Sequence, residues 1–119
     1  MNQKVIDAYI KKGSKVKGKL LKLSLETMDL LFEVDESDKS NLQKLENLSE
    51  EIERITEYLE NELAKIKKEI ESIEQTRELT VSEEQKYIDQ ISDVLMDGER
   101  KTEKAEKLFN QIARDIQGT

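Results

Sequence analysis

The segment Gly13-Ser14-Lys15-Val16-Lys17-Gly18-Lys19 matches seven positions of the G-x-x-x-x-G-K loop, in which backbone amides and a lysine cradle phosphate groups. The eighth position is Leu20, so the hydroxyl that would hold magnesium is missing, and no alternation of strands and helices surrounds the segment. Nucleotide binding is therefore not expected. The same stretch carries a basic run, Lys11, Lys12, Lys15, Lys17, Lys19 and Lys22, with no acid between Asp7 and Glu26. Lys11, Lys12, Lys15, Lys17 and Lys19 are candidate contacts for an anion, a phosphate backbone or an anionic lipid surface. No arginine or interleaved aromatic strengthens that use. The competing expectation is a solvated patch that pairs within the protein with Glu60, Glu62, Glu69 and Glu71.

Carboxylates are abundant, but acid–base catalysis needs pairs whose pKa values burial has driven apart, and here nearly all fall away from the apolar positions. The chain contains no His, Cys or Trp. Asp35-Glu36-Ser37-Asp38 lacks the glycine and regular ligand spacing of a calcium loop. No catalytic, metal or cofactor-binding residues are assigned, and a protein that is not an enzyme is expected.

Composition points to the scaffold. Of 119 residues, 39% are charged, 35% hydrophobic and 4% aromatic, with no proline, a balance that favours long solvent-bathed helices around a thin core. Residues 1–25 hold seven lysines against one aspartate, whereas residues 26–119 hold 13 basic against 26 acidic side chains, so the net charge of −7 conceals a basic start on an acidic body. An acidic body disfavours nonspecific binding of nucleic acid or anionic membrane. Absence of cysteine excludes disulfides and thiolate metal sites and is compatible with a reducing cytoplasm. No apolar run approaches the roughly 20 residues of a membrane span, and Met1-Asn2-Gln3-Lys4 leads into mixed polar sequence rather than a signal-peptide core.

Three helices of one domain, residues 1–119, are expected: about 3–34, 39–78 and 82–116. The last has the clearest pattern, a nine-step ladder of Ile88, Ile91, Leu95, Gly98, Thr102, Ala105, Phe109, Ile112 and Ile116 spaced alternately three and four apart, which is a helix seam requiring a partner. The second seam runs Leu42, Leu45, Leu48, Ile52, Ile55, Leu59, Leu63, Ile66, Ile70 and Ile73, over roughly 60 Å at 1.5 Å per residue. Four-residue steps through Ile55, Leu59 and Leu63 interrupt its heptad. Ser40 with Gln43 reads as a capping box opening the second helix, and Thr80 with Glu83 or Ser82 with Gln85 as one opening the third. Short turns make neighbours antiparallel. That register sets Gly98, Thr102 and Ala105 opposite Leu63, Leu59 and Ile55, either for close backbone approach or as an openable mid-bundle region.

The first helix carries two neighbouring apolar stripes: Val16, Leu20, Leu23, Leu30 and Val34, and Leu21, Leu25, Met28 and Phe32. Gly13 and Gly18 allow a break at 13–18 that would separate a short arm from the main helix. Seams on the other two helices are narrow, so the first helix can cover them and keep a flank spare. Leu21, Leu25, Met28 and Phe32 are the candidate partner-binding surface, expected to form a groove with one flank against the protein's own helices.

Leu20-Leu21-Lys22-Leu23 leading to Met28-Asp29-Leu30-Leu31, a polar turn, a long glutamate-rich helix and a final helix ending Phe109-Asn110-Gln111-Ile112 form a layout that resembles flagellar export chaperones of the FlgN and FliT type. The resemblance implies a small acidic cytoplasmic chaperone that holds the C-terminal helices of a filament-cap or hook-junction subunit before secretion. In place of the arginine-glutamate pair frequent in the second helix of FliT-like proteins stands Leu48-Ser49-Glu50-Glu51. The expectation is thus an all-α, elongated antiparallel three-helix bundle with a coiled-coil-like helix pair, acting as a non-enzymatic binding module for another helical protein. Its alternatives are a self-associating coiled-coil subunit, including a type VII secretion partner or a homodimer, a binder of nucleic acid or membrane through the lysine run, and an acidic DNA mimic.

Overall fold

The computed structural model describes residues 3–118, the side chain of Lys4 excepted; the start at Met1 and Asn2 lies outside the described residues. Three helices, α1 (Gln3–Glu33), α2 (Lys39–Glu74) and α3 (Val81–Ile116), form an up-down-up bundle measuring 61 × 21 × 16 Å. Each helix packs against both others.

The two turns are set by local hydrogen bonds. Asp35 leaves α1 and accepts from the Ser37 amide at 2.9 Å and the Ser37 hydroxyl at 2.8 Å, which holds its carboxyl below the usual range. The N-cap of α2 is Asp38, whose side chain accepts from the Asn41 amide at 3.3 Å; Ser40, expected in that role, lies inside the first turn. At the other end α2 stops at Glu74, short of the expected 78. The Gln75 and Arg77 amides still donate back to Glu71 and Ile73, while the Arg77 side chain leaves the helix line to meet Glu83. Thr80 caps α3: its hydroxyl accepts from the Glu83 amide and the Glu83 carboxylate accepts from the Thr80 amide, at 3.1 and 3.0 Å. Of the two competing capping boxes, Thr80 with Glu83 prevails, and Arg77 reinforces it with two bonds of 2.7 and 3.0 Å to the same carboxylate.

Both predicted seams are core. Leu45 through Ile70 on α2 and Ile88 through Ile112 on α3 supply most of the buried side chains, and Leu42, Ile73, Phe109 and Ile116 lie half-buried toward the ends. From α1 come Ile6, Val16, Leu20, Leu23, Leu30 and Val34. Thr27 completes that stripe, fully buried, because its hydroxyl donates to the Leu23 carbonyl at 2.7 Å and leaves only its methyl to be packed. At about 1.5–3 kcal/mol for each large aliphatic side chain withdrawn from water, these seams are the main source of stability.

α1 does not break at 13–18; it is helical through both glycines. Gly13 is buried, and a Cβ there would lie 2.6 Å from Leu63 Cδ1 and 3.1 Å from Leu95 Cδ2. Close packing of the three helices thus outweighs the roughly 1 kcal/mol that glycine costs a helix interior. Gly98 performs the same service from α3, with its Cβ position only 2.5 Å from Leu59 Cδ2. The register therefore sits about one turn from the expected one: Gly98 faces Leu59 rather than Leu63, and Leu63 is met by Gly13.

Candidate functional site

α1 presents Leu21, Leu25, Met28 and Phe32 to solvent, with 63, 54, 46 and 85% of their surfaces accessible. Spacings of four, three and four residues align them along one face of a helix. They do not flank the core as neighbours of the first stripe: at roughly 100° per residue, Leu25 lies about 140° around the helix from Leu20. The expected groove with one flank against the bundle is realised only at Leu21, which borders a shallow depression beside Ser49, Ile52 and Thr56 of α2. The other three point away from α2 and α3 and form a ridge rather than a groove. A ridge of this composition can enter the interface of another helix but cannot enclose a small molecule.

The lysine run lies on the basic half of the same helix. Lys11, Lys12, Lys15 and Lys19 are exposed and Lys17 is half-buried. Lys17 reaches Glu60 on α2 at 3.2 Å, one of the intramolecular pairs anticipated, and the Lys12 ammonium stands 5.3 Å from the centre of the Tyr9 ring. Because residues 13–19 are helical, the amides that a phosphate-binding loop would direct at its ligand are engaged in the helix. The G-x-x-x-x-G-K match is thus a coincidence of composition.

The mid-bundle region around Gly98, Thr102 and Ala105 is filled. Leu59 occupies the space over Gly98, and the buried Thr102 hydroxyl donates to the Gly98 carbonyl at 2.7 Å. A polar brace ties α2 to α3 beside it. Burial raises the Tyr58 pKa, as does its hydrogen bond to Asp97, and Lys101 lies 4.0 Å from the Tyr58 ring centre while pairing with Asp97 at 3.2 Å. Lys101, then Tyr58, hold the Asp97 carboxyl below its usual range. A second brace stands near the α2–α3 turn, where burial and then Glu69 push the Tyr87 phenol upward. Periodicity alone did not mark Thr27, Tyr87 or Glu84, all buried, because it counts apolar types and two of these are polar. The acid Asp97 and the base Lys101, at i and i+4, were a readable signal for their own pairing, whereas the part of Tyr58, on α2, follows from how the two helices pack.

Among the described residues no group of three or more carboxylates is placed to hold a metal ion, and no helix is long and apolar enough to cross a membrane. Comparison with family models, with curated proteins and with solved structures finds no match for the chain.

Proposed function

We propose that the protein is a non-enzymatic helical binding module that receives an amphipathic helix along the outer ridge of α1. The observation that carries this reading is the exposure of Leu21, Leu25, Met28 and Phe32 in one continuous line, whereas the other exposed large apolar side chains, Val81, Met96 and Leu108, are scattered along α3. Isolated apolar side chains on a surface are ordinary, whereas a contiguous strip at helical spacing, with an adaptable methionine beside an aromatic anchor, suits helix recognition. The layout that resembles flagellar export chaperones supports a more specific setting, a small acidic cytoplasmic chaperone for a secreted or flagellar subunit. The acidic body argues against nucleic acid or anionic membrane as the main partner.

The test uses synthetic peptides from the C-terminal helices of filament-cap and hook-junction subunits, titrated into the full chain and its Leu25→Glu variant. Binding that weakens at least about tenfold in the variant at unchanged melting temperature supports the reading. Equal binding by a stable variant removes the ridge from the account. Affinity that collapses with salt and follows the lysines would favour the anion-binding alternative.

A further inference from the structure

We infer that the resting occupant of the α1 ridge is a second copy of this chain, its α1 lying antiparallel across the first. The inference rests on the ridge being a docking surface and adds what covers it. Its ground is the distribution of charge along α1 and the turn that follows. Residues 11–22 carry six lysines and no acid; residues 26–38 carry Glu26, Asp29, Glu33, Asp35, Glu36 and Asp38 and no base. A helix whose two halves have opposite sign is complementary to itself when reversed and repels itself when parallel.

The apolar ridge fixes the register. Centring the two-fold axis between Glu26 and Thr27 sets Leu21 against Phe32 of the second copy and Leu25 against its Met28, so all four ridge residues of each copy are covered and each pairing occurs twice by symmetry. The same register brings Lys22 beside Asp29 of the second copy along one edge of the seam, and beyond the overlap it turns Lys15 toward the acidic turn that follows the second copy's α1 and carries its Glu36. All four of these charged residues are exposed, and Lys15, Lys22 and Asp29 occupy corresponding heptad positions, seven apart, next to the ridge. α2 and α3 lie on the far side of α1 and do not obstruct the approach. About 14 residues of each α1 overlap, roughly 21 Å, so the two bundles are staggered and the dimer measures about 100 Å against 61 Å for one copy. A client helix would compete with the second copy for the same residues.

The test is sedimentation equilibrium of the full chain up to about 100 μM, with thermal melts on every preparation. The expected result is a species at twice the 13.9 kDa chain mass. Leu25→Glu should weaken it at least about tenfold. The pair Lys15→Glu/Lys22→Glu makes the seam edge wholly acidic and should weaken association, and Asp29→Lys/Glu36→Lys makes it wholly basic with the same effect. Mixing these two variants should restore a dimer, now a heterodimer, because opposite edges meet again. A monomer throughout overturns the inference, yet leaves the docking reading standing if client peptides still lose affinity with Leu25→Glu. A dimer indifferent to Leu25→Glu places the interface elsewhere and overturns it. Failure of the mixed variants to associate, both remaining folded, overturns the antiparallel register.

Discussion

The two faces of α1 carry nearly the same residue types at nearly the same spacing, and the bundle uses only one. Val16, Leu20, Leu23, Leu30 and Val34 are buried with Thr27 among them; Leu21, Leu25, Met28 and Phe32 stand in solvent. The hydrophobic effect is indifferent to which stripe is withdrawn from water, so the choice is made by fit. Small residues decide it. Gly13 lies on the inner face where Leu63 and Leu95 must approach, whereas the outer face offers Gly18, at which a Cβ would meet nothing within 4 Å. A helix with two apolar faces packs by the one that admits its neighbours most closely, and the other is left for a partner.

The strongest way to break this comparison is to place a charge on each face. Leu20→Asp should abolish cooperative melting, because it strands an unpaired carboxylate at a fully buried position among α2 and α3 side chains. Leu25→Glu should leave the melting temperature of the single chain within a few degrees, since surface substitutions change stability by about 0.5 kcal/mol or less. Circular dichroism at low protein concentration, where association does not contribute, checks both. With alanine the contrast becomes quantitative: about 2–5 kcal/mol lost at Leu20 and almost nothing at Leu25. Comparable losses at the two positions would show that the outer ridge is core.

A smaller effect distinguishes the glycines. Gly18→Ala should raise stability by about 0.5–1 kcal/mol, because alanine is the better helix former and the space is open. Gly13→Ala gains the same propensity but must displace Leu63 and Leu95 within a packed core, an overpacking cost of about 1–3 kcal/mol, and should come out destabilising. Gly98→Ala should be worse still, because both methyls and the Cγ of Leu59 crowd the new Cβ and no rotation of one methyl relieves it. Urea denaturation gives the sign of each change. A stabilising Gly13→Ala would mean that α1 packs more loosely than its inner stripe implies.

Seams and element order were legible in the amino-acid pattern because burial on a helix imposes a period, and Leu45, Ile52, Ile91 and Leu95 obey it. What periodicity cannot report is the third dimension. The roughly 100° step already turns Leu21 and Leu25 away from Leu20, but it does not show whether a neighbouring helix covers that side, since this requires knowing where the other helices pass. Gly13 read as a possible break for the same reason: its propensity cost is local, and the Leu63 contact that offsets it comes from a residue 50 positions away. The cap of α2 was misplaced because Asp35, Ser37, Asp38 and Ser40 all have capping side chains, and only the path of the turn selects Asp38. The ridge residues were legible as candidates from their spacing, whereas the identity of what covers them is not contained in the spacing at all.

The smallest effect expected concerns the α2–α3 turn, which lies at the opposite end of the bundle from the outer ridge of α1 and so serves as the control. Bonds from Arg77 first, and then from the Thr80 amide and hydroxyl, lower the Glu83 pKa to about 2. A carboxyl whose folded-state pKa is depressed stabilises the fold above its unfolded value, near pH 4.5, and loses that contribution as the pH falls toward 2. Glu83→Gln should therefore flatten the pH dependence of the melting temperature between about pH 4.5 and 2, with the difference from the parent greatest above pH 5 and vanishing at the acid end. Because Glu83 is solvent-accessible, the difference should also shrink in high salt. The changes in unfolding free energy caused by Leu20→Ala and by Leu25→Ala should be the same in the Glu83→Gln background as in the parent, as expected for distant independent sites. Coupling between the turn and the outer ridge, seen as non-additive melting temperatures in Leu25→Ala/Glu83→Gln, would show that the ridge participates in holding the bundle and is not free for a partner.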